Sequence, residues 1–335
     1  MDPLTQIRLT RELVDIDSTT GREGEAGEFL ARTLQSLGYT VETQAVTPGR
    51  FNVLATIDPP DVVFSTHFDC VPPFFTSREE DGRLHGRGSC DAKGTLVAQI
   101  AACERLRANG ETRVGLLFVV GEERGSDGAA LANTIANESR YLIDGEPTDN
   151  RLGIATRGVY RARLAAEGRA AHSSQPHLGV SAIEKLVDTI VALRGVDWPD
   201  DPDLGRTFYT VGLISGGVAP NVIPPAAECE VMFRTVGPGQ ELRKLLDRHV
   251  GSDVTVEDIL EVPPVRLTTV PGLDSAVFSF TTDIPLLDRW GAPLLCGPGS
   301  VTLAHTADEY VEITALHQAV DRYQYLAESL RRSGA

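Results

Sequence analysis

Apolar residues recur at helical spacing over residues 7–16 and again over 23–37, where Gly38 supplies a stop. Short apolar runs follow at 39–44, 52–57 and 62–66, and each predicts a strand. Residues 93–109 predict a long helix closed by Gly110. Residues 113–120 are apolar almost throughout, the mark of a strand covered on both faces. Strands alternating with helices predict a mainly parallel sheet with helices on both sides.

The middle of the chain carries a different rhythm. Residues 158–167 alternate like a half-exposed strand, 179–193 read as a helix, and 207–214 and 228–236 as strands. A helix at 240–250 and a strand at 254–262 complete the order β-α-β-β-α-β, that of a ferredoxin-like layer. The α/β pattern then returns, with a strand near 294–295 and a closing helix over 314–331. The expected organisation is a catalytic domain of residues 1–155 and 269–335, with a small domain of residues 156–268 inserted into it.

Composition narrows the function. The chain has 335 residues, 41% apolar and 23% charged, which is ordinary for a soluble globular protein. Its net charge of −16 makes nucleic acid a poor partner, because phosphate binding needs a basic patch. The longest apolar run, 114–120, is far short of the ~20 residues of a membrane span, so no membrane association is expected. The first residues are neither basic nor apolar, so no secretory leader is expected and the expected compartment is the cytoplasm. The five cysteines (70, 90, 103, 229 and 296) form no C-x-x-C pair, which argues against a disulfide framework or a cysteine zinc site.

Candidate chemistry sits where predicted strands end. His67 closes an apolar strand, and Asp69 two residues on could accept from the second imidazole nitrogen. Asp91 lies in the glycine-dense Gly86-Arg87-Gly88-Ser89-Cys90-Asp91-Ala92-Lys93-Gly94, either as a helix cap or as a carboxylate held to bridge cations. Glu122 and Glu123 follow a buried strand directly, where α/β ligand sites collect. Glu146 lies in Asp144-Gly145-Glu146-Pro147, and His305 in Ala304-His305-Thr306-Ala307-Asp308-Glu309. Each alone is an ordinary strand end, turn or loop residue. Jointly, His67, Asp91, Glu123, Glu146 and His305 suit two divalent ions: one bridging carboxylate, and one His with one carboxylate for each ion. Glu122 is the carboxylate left over.

The ordered set resembles the co-catalytic zinc family of acetylornithine deacetylase, succinyl-diaminopimelate desuccinylase, aminoacylase and carboxypeptidase G. The resemblance rests on His67-Phe68-Asp69-Cys70-Val71-Pro72, on the Gly86 to Gly94 motif, on G-E-E and G-E-P, and on the late A-H-T-x-D-E. It implies a three-layer α/β/α zinc hydrolase domain with an inserted ferredoxin-like α+β lid and dimerisation domain. It further implies two zincs per subunit, for which cobalt may substitute: His67 and Glu146 on one, Glu123 and His305 on the other, Asp91 bridging. Asp69 would orient His67, and Glu122 would be the general base.

Gly168-Arg169-Ala170-Ala171-His172-Ser173-Ser174 resembles the family's G-x-x-A-H-S element, whose His reaches the active site of the other subunit of a homodimer. Asn221 and Arg234 resemble its N-x-I-P and carboxylate-binding arginine, and with Gly297 and Gly299 they would anchor the substrate carboxylate. The family implies a small-molecule N-acyl amino acid or a short peptide as substrate. An acetylornithine-like deacylase, with a place in amino-acid biosynthesis, stands first. A di- or tripeptidase, a carboxypeptidase or a desuccinylase is the alternative. The stretch from Pro72 to Gly82 departs from the family, carrying Phe74-Phe75 where many members have W-x-x-P-F, so the substrate pocket is expected to differ. A hinge is expected near 155 and 268. A serine hydrolase is excluded by the lack of a G-x-S-x-G elbow. A non-catalytic zinc protein would have lost a ligand or the base, and all six positions are filled.

Overall fold

A computed structural model describes residues 1–333 and divides them into two compact units. The first comprises 1–154, 267–276 and the chain from 282 onward; the second comprises 155–266 and 277–281. The chain thus crosses between units four times, whereas the sequence pattern had only two junctions, at 155/156 and 268/269. The extra excursion, 277–281, is too short to carry a periodic signal.

The first unit opens with helices α1 (Pro3–Val14) and α2 (Gly24–Ser36). Asp2 caps α1, its carboxylate accepting from the amides of Leu4 and Thr5 at 3.0 Å. Strands β1 (Thr40–Thr47), β2 (Arg50–Thr56), β3 (Val62–His67), β4 (Arg78–Glu80) and β5 (Arg83–His85) follow, then helix α3 (Lys93–Ala108), strand β6 (Val114–Val119), the short helix α4 (Asp127–Ala132) and β7 (Tyr141–Asp144). Next come β8 (Leu152–Thr156), β9 (Gly158–Glu167), α5 (Ala182–Arg194), two two-residue strands β10 (Asp200–Asp201) and β11 (Gly205–Arg206), β12 (Phe208–Gly216), β13 (Ala226–Thr235), α6 (Gly239–His249), β14 (Val254–Val262) and β15 (Val265–Arg266). Strands β16 (Ser275–Phe278), β17 (Ala292–Leu295) and β18 (Tyr310–Glu312) and helix α7 (Ile313–Ser333) close the chain.

The main sheet runs β1-β2-β6-β3-β7-β17. The four strands from β6 to β17 are parallel, while β1 and β2 form an antiparallel hairpin added at one edge. The sheet is mainly parallel as expected, with an antiparallel edge that the sequence pattern did not mark; Pro48-Gly49 reverses the chain between β1 and β2, with Gly49 at φ 78°. Strand parity sorts the core. Val62, Phe64, Leu116 and Ile143 face α1, α3 and α7; Val63, Leu117 and Leu142 face α4 and Trp290 on the other side. Helix α3 is buried on every side from Lys93 to Cys103, which is why its apolar positions form no single stripe.

The second unit has the antiparallel order β12-β13-β9-β14 with α5 and α6 packed on it, the spatial order of a ferredoxin-like layer. Its core alternates along β9: Tyr160, Ala162, Leu164 and Ala166 are buried while Arg161 and Arg163 between them reach solvent. Among the described residues no helix is long and apolar enough to cross a membrane.

Candidate metal centre and active site

Because β6, β3, β7 and β17 are parallel, their C-terminal ends open on one edge, where α/β folds place ligands. His67 is the last residue of β3, Glu122 and Glu123 follow β6, Glu146 lies two residues past β7, and Gly297 two past β17. Gly121, at φ 80°, turns the chain after β6; a Cβ there would lie 2.1 Å from the Asp127 carboxylate. Asp91 enters from the loop before α3, and His305 from the loop before β18.

The five proposed ligands meet in one run. His67 Nε2 lies 3.1 Å from Asp91 Oδ1 and 3.9 Å from Glu146 Oε1. His305 Nε2 lies 3.2 Å from Asp91 Oδ2 and 2.9 Å from Glu123 Oε2. Asp91 therefore faces the two imidazoles with different oxygens, which is how a bridging carboxylate must present itself. It is not a helix cap: the residue before α3 is Ala92, and no side chain caps that end. Donor atoms of His67, Asp91 and Glu123 all lie within 4.8 Å of one another, close enough to hold a metal ion. Two imidazoles and three carboxylates, converging without a cysteine, fit a pair of divalent cations.

Asp69 does more than the sequence suggested. His67 Nδ1 is 3.0 Å from the Asp69 backbone carbonyl and 3.4 Å from its carboxylate, so the main chain is the nearer partner. The Asp69 carboxylate instead accepts from the amides of Glu122 (3.1 Å) and Glu123 (3.3 Å) and from the Thr20 hydroxyl (2.8 Å). One buried carboxylate thus ties β3 to the segment carrying both glutamates.

Glu309 has a matching role for Asp91. It is fully buried and accepts from Arg87 Nη1 at 2.6 Å and from the amides of Gly88, Cys90 and Asp91 at 2.9, 3.0 and 3.2 Å. Sequence reasoning quoted Glu309 within a motif without giving it work; nothing local in a sequence marks an acid as the partner of amides more than 200 residues away. Thr20 carried no signal at all. Cys70 and Cys90 are buried free thiols beside the loop, and burial pushes Cys70 up to about 12, consistent with packing residues.

Charge crowding shapes the centre. Burial raises the carboxyls of Glu122, Glu123 and Glu146. Burial also opposes ionisation of Asp91, but the hydrogen bonds to His305 and His67 outweigh it and hold that carboxyl below its usual range. Hydrogen bonds to Asp91 and Glu123 raise His305 to about 10. Asp144 and Asp283, buried nearby, are both raised by burial, Asp144 further by Asp283.

In the second unit, His172 is exposed, with Nδ1 2.9 Å from Ser174 Oγ. Its loop pairs with the 221–223 loop: the Ser173 amide donates to the Asn221 carbonyl at 2.9 Å, and that of Ile223 to Ala171. The guanidinium of Arg234, half-buried on β13, has no hydrogen-bond or ion-pair partner among the described residues, and burial lowers its pKa. In the first unit, Gly297 packs so tightly that a Cβ would lie 2.4 Å from the Glu146 carbonyl, and Gly299 adopts φ 82° against Cys90.

Residues 63–329 match the peptidase family M20/M25/M40. The chain belongs to that family. It is a metal-dependent hydrolase, as the M20 relatives indicate. A peptidase M20 domain-containing protein of Schizosaccharomyces pombe is 36% identical over 95% of this chain and 83% of its own length. A probable carboxypeptidase of Aspergillus terreus is 35% identical over 95% of this chain and 85% of its own. The M20 fold recurs in a tripeptidase of Staphylococcus aureus (TM-score 0.83, 19% identity, 98% of this chain and 99% of that one). It recurs also in the M20 metallo-carboxypeptidase Sso-CP2 of Sulfolobus solfataricus (TM-score 0.76, 18% identity, 98% and 99%).

Proposed function

We propose that this chain hydrolyses the amide bond on the acyl side of an L-amino acid with a free α-carboxylate. Short peptides come first, which makes the enzyme a carboxypeptidase; N-acyl amino acids present the same bond. The carrying observation is the division of labour between adjacent glutamates. Glu123 is engaged by His305, whereas the Glu122 carboxylate has no hydrogen-bond partner among the described residues. The carboxypeptidase reading is supported by relatives 33–35% identical over 95–98% of the chain that bear that name.

His67 and Glu146 would hold one cation, Glu123 and His305 the other, with Asp91 shared; the nitrogen and oxygen donors suit zinc. Bound there, divalent cations supply Lewis acidity toward water and the scissile carbonyl. Glu122 takes a proton from the attacking water as the C–O bond forms. It returns that proton to the leaving nitrogen as the C–N bond breaks. The Arg234 guanidinium, unpaired and half-buried in the second unit, is suited to grip a substrate carboxylate in two parallel hydrogen bonds, with Asn221 of the same unit assisting; in the first unit Gly297 and Gly299 leave the backbone open to the substrate.

His172 is proposed to act on the oxyanion from the partner subunit of a homodimer. Outer strand β12 exposes Phe208, Leu213 and Ile214, and α5 exposes Ile183, Val187 and Val191, an apolar surface that association would cover. The decisive assay compares peptides with free and amidated C termini on zinc-loaded enzyme. Free termini should be cleaved at least ~100-fold faster, since amidation leaves the guanidinium unpaired. Equal rates would overturn the reading. Mixing His172→Ala with Glu122→Ala subunits should restore activity if the site is shared.

A further inference from the structure

A hollow of about 540 Å³ opens beside Glu123, wholly within the first unit. Val71, Pro72 and Phe74 form its apolar wall, and Arg22 and Arg124 reach it. It adjoins the reaction centre twice over: Glu123 lines it directly, and Thr20, also in its lining, donates to Asp69 at 2.8 Å.

Two carboxylates, Asp17 and Glu123, and two guanidiniums, Arg22 and Arg124, line it, and their partners differ. Asp17 accepts from the Thr19 amide at 2.9 Å, from its hydroxyl at 2.7 Å and from Arg22 at 3.2 Å. Glu123 is taken by His305 at 2.9 Å. The exposed guanidinium of Arg124 has no ion-pair or hydrogen-bond partner among the described residues, and it is the one charged side chain of this lining without one.

The hollow also has a side. The ligand run goes from Glu146 through His67, Asp91 and His305 to Glu123. Gly297, expected from the sequence at the substrate carboxylate, packs on the Glu146 end. The hollow lies at the Glu123 end, so it faces the other half of the scissile amide.

We infer that this hollow is the acyl-side subsite and that Arg124 selects there an acyl group carrying its own carboxylate, with Phe74 packing on the intervening methylenes. This rests on the hydrolase reading above and specifies its substrate. An acidic residue of a peptide and a dicarboxylic acyl group share this chemistry. Two matched pairs with one common C-terminal residue test it: Glu-Leu against Gln-Leu, and N-succinyl-leucine against N-succinamyl-leucine. Each pair swaps a carboxylate for its isosteric amide.

In zinc-loaded wild type the acid:amide ratio of kcat/KM should exceed about ten in at least one pair, and that pair identifies the source. Arg124→Gln should lower the ratio about tenfold, and Arg124→Glu should invert it. A ratio cancels differences in active fraction. If the variants fail to fold, the wild-type ratio should still fall several-fold between low and high salt, because an exposed cation is screened. A wild-type ratio near one, a ratio indifferent to Arg124 substitution, or one indifferent to salt overturns the inference. Cleavage without discrimination leaves the hydrolase reading standing; no cleavage of any of the four compounds removes both.

Discussion

Replacing Glu309 by Gln should strike stability and metal binding together. The carboxylate is fully buried, and Arg87, its 2.6 Å partner, is only 2% exposed. One oxygen, Oε1, serves the amides of Gly88, Cys90 and Asp91; the other serves Arg87. An amide can keep the first set only by turning its NH2 toward the guanidinium, donor against donor. Arg87 then keeps only its Nε bond to the Pro73 carbonyl. Stranding one partner of a buried pair costs about 3–5 kcal/mol. For a unit of this size that is a fall in its melting temperature of roughly 10 °C. Because the Asp91 amide hangs on the same carboxylate, the shared ligand should shift as well, weakening metal binding about 10–100-fold. Calorimetry of the metal-free protein measures the first effect, and competition with a chromogenic chelator the second. A Glu309→Gln protein that melts within ~2 °C of wild type and binds metal equally would refute the reasoning. An Arg87→Ala, Glu309→Gln cycle should show coupling above ~2 kcal/mol, since either change alone already breaks the pair.

Glu122→Gln should lower kcat about 10²–10⁴-fold while metal content, measured by atomic absorption, stays at the wild-type level. Dialysis against a strong chelator should abolish turnover and lower the melting temperature, both recovering on adding zinc; turnover surviving metal removal would exclude the metal mechanism. Gly297→Ala should weaken binding of one cation more than the other, because the added Cβ would lie 2.4 Å from the Glu146 carbonyl; metal titration resolves the two steps. In the second unit, Asp258 is held below its usual 3.8 by Tyr160 and then Arg243. A carboxyl depressed on folding stabilises above its unfolded pKa and loses that contribution as pH falls through the folded value. Asp258→Asn should therefore destabilise slightly at pH 7, by well under 1 kcal/mol for so exposed a side chain, and the difference should vanish under strongly acid conditions.

The sequence alone determined the periodicities and the local motifs. Alternation along β9 and the wholly apolar β6 were legible because burial on one face or two writes itself into successive residues. The β-α-β-β-α-β order of the second unit was legible for the same reason. The candidate ligands were legible as types because divalent cations draw on imidazoles and carboxylates, and such residues stood just after predicted strands. What the sequence could not carry was any relation between distant side chains. The antiparallel β1–β2 edge depends on pairing, not on composition. That Asp69 holds the amides of Glu122 and Glu123, that Glu309 holds the loop of Asp91, and that Arg124 stands unpaired in the hollow that Phe74 also lines follow from how the parallel strands and their loops pack. A hydrogen bond between residues 50 or 200 positions apart leaves no local trace, because its energy depends on a distance that only the folded chain defines.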